Sequence, residues 1–350
     1  MLPTTKNHRF SLKINRLITI ALFGLITTGF IWLGAATQQV TLPTEGASPL
    51  FYATQCQDDL RLTYIKAINN AKRSIHLVIF TLTDKKVLDA LRKKSEEGVE
   101  VTIICDPHTP KRGLKKLGGK VSVWISKGPG LMHQKILVID EKQVWIGSAN
   151  MTPESLRVHD NLVIGMDNPE LAKALIEHGK GVVSGRMKKS TLQRNYTIGG
   201  QQVELWMLPE NREGLHRLEK LIDGAQKTIR VAMFTWTSKE LTDAIIRAHK
   251  RGIKVEAVVD YHSSKGASAG AVERMREAGI AVRSNQGIGL LHHKLVYIDN
   301  QTLATGSTNW TRAAFTINRD CFLVLHDLSA EQERFMARLW DSISKESTAP

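Results

Sequence analysis

Two stretches of this 350-residue chain carry the same polar residues at the same intervals: His133-x-Lys135-x4-Asp140-x6-Gly147-Ser148-x-Asn150 and His292-x-Lys294-x4-Asp299-x6-Gly306-Ser307-x-Asn309. These side chains suit a phosphodiester anion. Lysine ammonium groups and asparagine amides donate to its oxygens. A neutral imidazole can attack phosphorus, and a protonated one can give its proton to the leaving oxygen. One histidine per copy supplies both roles. The sequence offers no carboxylate cluster for Mg²⁺, no C-x-x-C and no zinc spacing, so we expect no metal and no cofactor, with the lysines stabilising charge. One such motif alone is readily a satisfied core histidine. Two in register are not, because two inward His–Lys pairs are costly to bury without a charged guest.

The spacing implies how these groups are positioned. In a strand, residues i and i+2 share a face, so His133 and Lys135 point the same way, as do His292 and Lys294. With two-residue hairpin loops at Glu141-Lys142 and Asn300-Gln301, Lys135 would oppose Ser148 and His133 would oppose Asn150; Lys294 would oppose Ser307, and His292 would oppose Asn309. Asn150, Asn309, Ser148 and Ser307 are therefore expected around the phosphate. Asp140 and Asp299 complete the catalytic motif, but they fall at the turn on the other parity and read as structural supports. A third strand follows each hairpin, DNLVIG and DCFLVL. Asp160 and Asp320 begin these strands and are expected to orient the imidazoles by bonding the second ring nitrogen. Asp160 lies 10 residues beyond Asn150, and Asp320 lies 11 beyond Asn309.

The elements around the motifs are duplicated too. Ala71–Ile75 matches Ala225–Ile229, Phe80-Thr81-Leu82-Thr83 matches Phe234-Thr235-Trp236-Thr237, and Asp106 matches Asp260, all 154 apart; Gly128–His133 matches Gly287–His292 at 159. This is a duplicated domain rather than a solenoid. SIHLVIF and TIRVAMF read as strands, Lys85–Glu97 and Lys239–Lys250 as amphipathic helices closed by Gly98 and Gly252, and VEVTIICD and IKVEAVVD as the next strands. The βαβ order predicts a largely parallel sheet with covering helices. We place the domains at 50–185 and 200–345, with the polar stretch 185–200 between them. Ser329 is expected to cap a last helix carrying Phe335, Leu339, Trp340 and Ile343 on one face.

Composition excludes a disordered chain, with 42% hydrophobic and 23% charged residues. The formal charge is +14; four positives lie in the first sixteen residues, so the remainder carries 14 − 4 = +10. A basic surface favours anionic partners without choosing between nucleic acid and lipid. Leu17 to Ala36 is an uncharged run of twenty residues behind a basic flank. It predicts an N-terminal membrane anchor within residues 1–36, with the catalytic part outside the cytoplasm, or a secreted or periplasmic enzyme if the segment is cleaved as a signal. Of the three cysteines, Cys105 and Cys321 sit in apolar runs and are expected to be buried strand residues.

The paired motif resembles that of the phospholipase D superfamily, over nearly everything from Phe51 to Trp340. The resemblance implies an α/β fold of two α/β/α sandwich domains with pseudo-two-fold symmetry, their shared site at the interface, and a covalent phosphohistidine intermediate. It further implies that His133 is the nucleophile and His292 the general acid. Lys135, Lys294, Asn150 and Asn309 would hold the phosphate, with Ser148 and Ser307 supporting them. Where the family has N-x-E on the third strand, this sequence reads Val158-x-Asp160 and Asn318-x-Asp320. The second copy, HHKLVYID through GSTNWT to the closing Phe335-x3-Leu339-Trp340, also resembles the branch that holds mitochondrial cardiolipin hydrolase and a piRNA-processing nuclease. That branch uses the same site on lipid or on RNA; the apolar anchor makes phospholipid the expected substrate, the basic charge makes metal-independent cleavage of DNA or RNA the alternative, and cardiolipin-synthase-like phosphatidyl transfer is a variant of the first. Both motifs lie on one chain, so a monomer is expected to suffice.

Overall fold

A computed structural model describes residues 40–184 and 194–348. The apolar run 17–36, and with it the expected anchor, lies outside the described residues, as does 185–193 of the expected linker. Among the described residues no helix is long and apolar enough to cross a membrane. Residues from Leu42 onward form one compact unit.

The first repeat builds β1 (Leu50–Ala53), β2 (Ser74–Ile79), β3 (Glu100–Cys105), β4 (Ser122–Ile125), β5 (Lys135–Ile139), β6 (Gln143–Gly147) and β7 (Leu162–Asp167), in the order β1-β7-β6-β5-β2-β3-β4. The second builds β8 (Asn195–Ile198), β9 (Gln201–Leu208), β10 (Thr228–Met233), β11 (Lys254–Val259), β12 (Val282–Asn285), β13 (Lys294–Ile298), β14 (Thr302–Gly306), β15 (Asp320–Leu325) and β16 (Ser347–Thr348). Its order, β16-β12-β11-β10-β13-β14-β15-β9-β8, repeats the first sheet with one strand added at each edge. The sheets are mixed rather than largely parallel. β2, β3 and β4 run parallel, but β5, β6, β7 and β1 join antiparallel. The helical crossover imposes parallel pairing only where it occurs, and the short β5–β6 turn forces the strands to reverse. The expected boundary at 185–200 also shifts: Asn195–Ile198 is a strand with Tyr196 and Ile198 buried, a period-2 alternation inside a stretch of polar character.

Local signals account for the main helices. α1 (Leu60–Asn70) is capped by Asp59. α2 (Lys85–Glu96) and its counterpart α5 (Lys239–Lys250) begin at Asp84 and Ser238, whose side chains accept backbone N–H groups. Between them lie α3 (Pro169–Ser184) and α4 (Gly214–Asp223). The final helix, α6 (Ala330–Lys345), opens with a full capping box from Ser329 and Gln332 and buries Met336, Leu339, Trp340 and Ile343. Cys105 and Cys321 are buried, as expected.

One hydrophobic cluster runs through both repeats, joining Val78, Ile136, Ile146 and Leu175 of the first to Leu205, Leu295, Leu323 and Leu339 of the second. The repeats also interlock by backbone bridges beside the histidines, Met132 with Arg319 and Asp160 with Leu291. His133 N–H donates to the Arg319 carbonyl (2.9 Å), and Asp160 N–H donates to that of Leu290 (2.9 Å). Glycine makes the approach possible: a Cβ on Gly130 would stand 2.3 Å from the Ile317 oxygen, and one on Gly289 2.1 Å from that of Val158. Backbone cannot yield as a flexible side chain would, so Gly130→Ala is expected to destabilise by about 1–3 kcal/mol through overpacking. Thermal unfolding measures this; an unchanged midpoint would show that the seam is loose.

Candidate active site

The motif hairpins differ from their expected register by one residue. Ile139 pairs with Gln143 and Ile136 with Ile146; in the second copy Ile298 pairs with Thr302. The loops therefore hold three residues, not two. The reason lies in the backbone: Asp140 and Glu141, like Asp299 and Asn300, adopt left-handed conformations with φ between 52° and 60°, and Asp and Asn are among the residues that tolerate them. His133 and His292 lie just before their strands, and the His133 backbone bonds to Arg319 of the other repeat instead of to the hairpin partner. His133 does not face Asn150 across a ladder, nor does Lys135 face Ser148.

Asp140 and Asp299 bond to backbone at their hairpin turns. The Asp140 carboxylate accepts the N–H groups of Lys72, Arg73 and Ser74 (2.7–3.0 Å), and Asp299 accepts those of Gln226, Lys227 and Thr228. Each ties the hairpin turn to the start of the neighbouring strand, at the far end of the strand from its lysine. Burial alone would raise the Asp140 carboxyl, but the three N–H donors hold it below its usual range. A depressed folded-state pKa contributes stability above the unfolded value of about 3.9 that is lost as pH falls through the folded value. Asp140→Asn is thus expected to lower stability at pH 7 by about 1–3 kcal/mol and to flatten the acid limb of unfolding, while activity per folded molecule stays. A variant that is stable but inactive would restore a catalytic role.

The other motif residues converge. His133, Lys135, His292 and Lys294 are each at most 8% exposed. Lys135 Nζ donates to the His133 carbonyl and Lys294 Nζ to that of His292, which leaves each ammonium two further protons. Phe80 walls the first pair, its ring 5.4 Å from that of His133 and 5.3 Å from Lys135 Nζ; Phe234 walls the second at 4.9 and 4.8 Å. The side-chain oxygens of Asn150 and Asn309 are buried with no partner among the described residues. Burial pushes the Lys135 ammonium down to about 7 and Lys294 well below its ordinary value, with Lys135 adding to the effect on Lys294. Two lysines held together out of water, among unpaired amides, form a receptor for an anion.

The orienting groups are not the symmetric pair expected. His133 Nδ1 meets the Asp320 carboxylate at 2.7 Å. His292 Nδ1 meets the Asn161 amide oxygen at 3.0 Å. Asp160 bonds neither ring: its Oδ2 is buried without a partner among the described residues, and burial, Glu346 and Asp260 raise its carboxyl to about 8. Asn161 lies 11 residues after Asn150, as Asp320 does after Asn309, so equal spacing identifies it where a search for an acid selects its neighbour. The hydroxyls of Ser148 and Ser307 turn to the same orienting groups. Both are fully buried, and each hydroxyl proton is committed to the orienting group, Ser148 to Asn161 (2.8 Å) and Ser307 to Asp320 (2.7 Å). Asp106 and Asp260, equivalent positions of the two repeats, also support the histidines. Their carboxylates accept the N–H of Met132 (2.7 Å) and Leu291 (3.1 Å), the residues directly before the histidines.

Comparison with known proteins agrees with this architecture. The family described as "Cardiolipin synthase, PLD-like domain" matches twice, at residues 64–181 and 218–340. The mitochondrial cardiolipin hydrolase of Xenopus laevis is 34% identical over 139 residues, 38% of this chain and 64% of that protein. A phospholipase D of Rickettsia bellii is 31% identical over 115 residues, 32% of this chain and 57% of its own length. The matched stretches thus span somewhat under two thirds of these relatives. The solved phosphatidylserine synthase of Haemophilus influenzae superposes with a TM-score of 0.69 at 15% identity, covering 88% of this chain and 89% of that one, a likeness of fold.

Proposed function

Because this chain belongs to the phospholipase D superfamily, we propose that it hydrolyses phospholipid phosphodiesters through a phosphohistidine intermediate. The observation that carries the chemistry is the buried site made by both repeats, with two imidazoles, two lysines and a carboxylate bonded to one of the histidine rings. One imidazole attacks phosphorus while the other protonates the leaving oxygen; the lysines and the amides of Asn150 and Asn309 take up charge on the non-bridging oxygens. The site is built of donors rather than of carboxylate ligands, and among the described residues no His, Cys, Asp and Glu cluster suits a metal ion.

A second observation favours lipid over nucleic acid. Val158, Ile288 and Ile317 are exposed large apolar residues, Ile288 fully so. Val158 and Ile317 are equivalent positions, and their carbonyls are those that press on Gly289 and Gly130. The three therefore flank the seam that holds the histidines, where apolar side chains suit contact with a bilayer. The relatives named as cardiolipin hydrolase and phospholipase D and the apolar run 17–36 point the same way.

Full-length protein in detergent, with EDTA present, should release head groups from phospholipid vesicles faster than it cleaves single-stranded DNA or RNA. Ile288→Glu should slow vesicle turnover by about tenfold, the equivalent of roughly 1.4 kcal/mol of interfacial binding, and leave a soluble nitrophenyl diester unaffected. Nuclease turnover without lipid turnover would make the basic surface decisive and the enzyme a nuclease; a strict Mg²⁺ requirement would sink the metal-free mechanism.

A further inference from the structure

We propose that the first repeat carries a docking surface for anionic phospholipid, formed by the crossover from β3 to β4 and by the open edge of β4, which seats the enzyme against a negatively charged bilayer. The proposal rests on the reading of the substrate as phospholipid, and adds which face meets the membrane and which lipids hold it there.

Between Asp106 and Asp140 the chain holds no acidic residue. The crossover folds as a short helix over Lys111–Leu114 and a 3-10 turn over Lys115–Leu117. Lys111, Arg112, Lys115, Lys116, Lys120 and Lys127 are all exposed, and none meets a carboxylate among the described residues. The matching crossover of the second repeat, from β11 to β12, is different. It contains Glu273 and Glu277, and its arginines are engaged. Arg274 pairs with Asp243, Arg283 lies 3.8 Å from Glu256, and Arg276 donates to the Val282 carbonyl (3.2 Å). Cations left unpaired on one repeat but engaged on its duplicate are not a requirement of the fold. They suit an external anion.

Apolar side chains stand beside these cations. Trp124 and Ile125 are 50% and 42% exposed. Successive strand residues point to opposite faces, so β4 is uncovered on both. Among the described residues no strand pairs beyond it, whereas its counterpart β12 is covered by β16. Together with Val158, Ile288 and Ile317 at the seam, these two are the exposed large apolar residues of the described chain. Both groups lie toward the same end of the sheet. Ile125 pairs with Cys105, the neighbour of Asp106, whose carboxylate holds Met132 beside His133. From Ile125 the chain passes through Lys127 to Gly130, which abuts Ile317.

This combination fits an anionic membrane surface. A lysine or arginine that reaches acidic head groups strengthens binding by about fivefold. An indole settles at the head-group boundary, its apolar body inward and its N–H toward water. Isoleucine offers nothing to a phosphate or to a stack of bases, but it suits the acyl boundary. A nucleic acid would be drawn by the same cations, and it is the rival outcome of the test.

The test places full-length protein in nanodiscs of phosphatidylcholine, alone or with about one third phosphatidylglycerol, and follows lysine acetylation by mass spectrometry. Lys115, Lys116, Lys120 and Lys127 should react about fivefold more slowly on the anionic discs, and about 0.5 M NaCl should remove the difference. Lys142, in the hairpin turn at the far end of the sheet, should not change. Trp124→Phe should remove a part of the fluorescence that brominated phosphatidylglycerol quenches. Lys111→Gln, Arg112→Gln, Lys115→Gln and Lys116→Gln together should abolish the protection of Lys120 and Lys127, with turnover of a soluble nitrophenyl diester within about twofold of wild type. Equal labelling on neutral and anionic discs overturns the proposal. So does stronger protection by single-stranded RNA on neutral discs than by phosphatidylglycerol, which would make the surface one for nucleic acid. Labelling does not depend on turnover. Protection absent while lipid is cleaved overturns the docking surface alone; protection present without lipid cleavage supports it and overturns only the reading of the substrate.

Discussion

Replacing either His133 or His292 with asparagine is expected to reduce kcat/KM for an unactivated phosphodiester by about 10⁴ or more, because attack and protonation occur at one transition state. The double variant should lose little beyond either single one, since residues that act as a unit are strongly non-additive. The geometry underlies both expectations: each histidine comes from a different repeat, but His133 is oriented by Asp320 of the second and His292 by Asn161 of the first. Neither repeat contains a complete site. Kinetics on the two single variants and the double one measure this directly. Losses that multiply would mean two independent sites, and a loss below about tenfold would remove the histidines from the chemistry.

The lysines carry the second large effect. Lys135→Met or Lys294→Met should lower kcat by about 10² to 10³, the typical loss for one preorganised donor to a developing oxyanion. The same substitution should stabilise the fold. The Lys135 ammonium is buried, and its folded-state pKa of about 7 lies below the unfolded value of about 10.4. The unfolded chain therefore binds more protons between those values, so the folded state is disfavoured most at and below neutral pH and gains stability as pH rises above about 7. Removing the buried charge removes that penalty. Lys135→Met is thus expected to raise the unfolding midpoint at pH 6 while lowering turnover, a pairing that a merely structural residue would not show. KM of the wild type should also climb above about pH 7, toward tenfold per unit, as the lysine loses the proton that the phosphate anion requires. A pH-independent KM, or a methionine variant less stable than wild type at pH 6, would show that Lys135 is charged and paired in the free enzyme.

Much of this was legible because it depends on short intervals along the chain. α2 and α5 appear where the amphipathic pattern and the Gly98 and Gly252 stops placed them, and the capping box of α6 begins at Ser329. Hairpin register was not legible to the residue. It turns on whether Asp140 and Asp299 enter the left-handed region, and they do so while their carboxylates bind three N–H groups more than 65 residues away in sequence. Strand direction failed for a related reason: a βαβ signal dictates parallel pairing for two strands and is silent about the hairpin that joins the same sheet.

The sequence by itself determined the duplication, the two His–Lys pairs and the chemistry they imply, since residue types at fixed spacing are properties of the chain alone. Only the tertiary structure decided which group meets which imidazole. Asp320 lies 187 residues from His133, and Asn161 lies 131 from His292; no local preference spans such a distance. Their meeting follows from the shared hydrophobic core and from two glycines that let the backbones of the repeats nearly touch. Hence the asymmetry of the site, a carboxylate on one histidine and an amide on the other, arises from a single residue type at position 161. Its meaning depends wholly on the partner that folding brings to it.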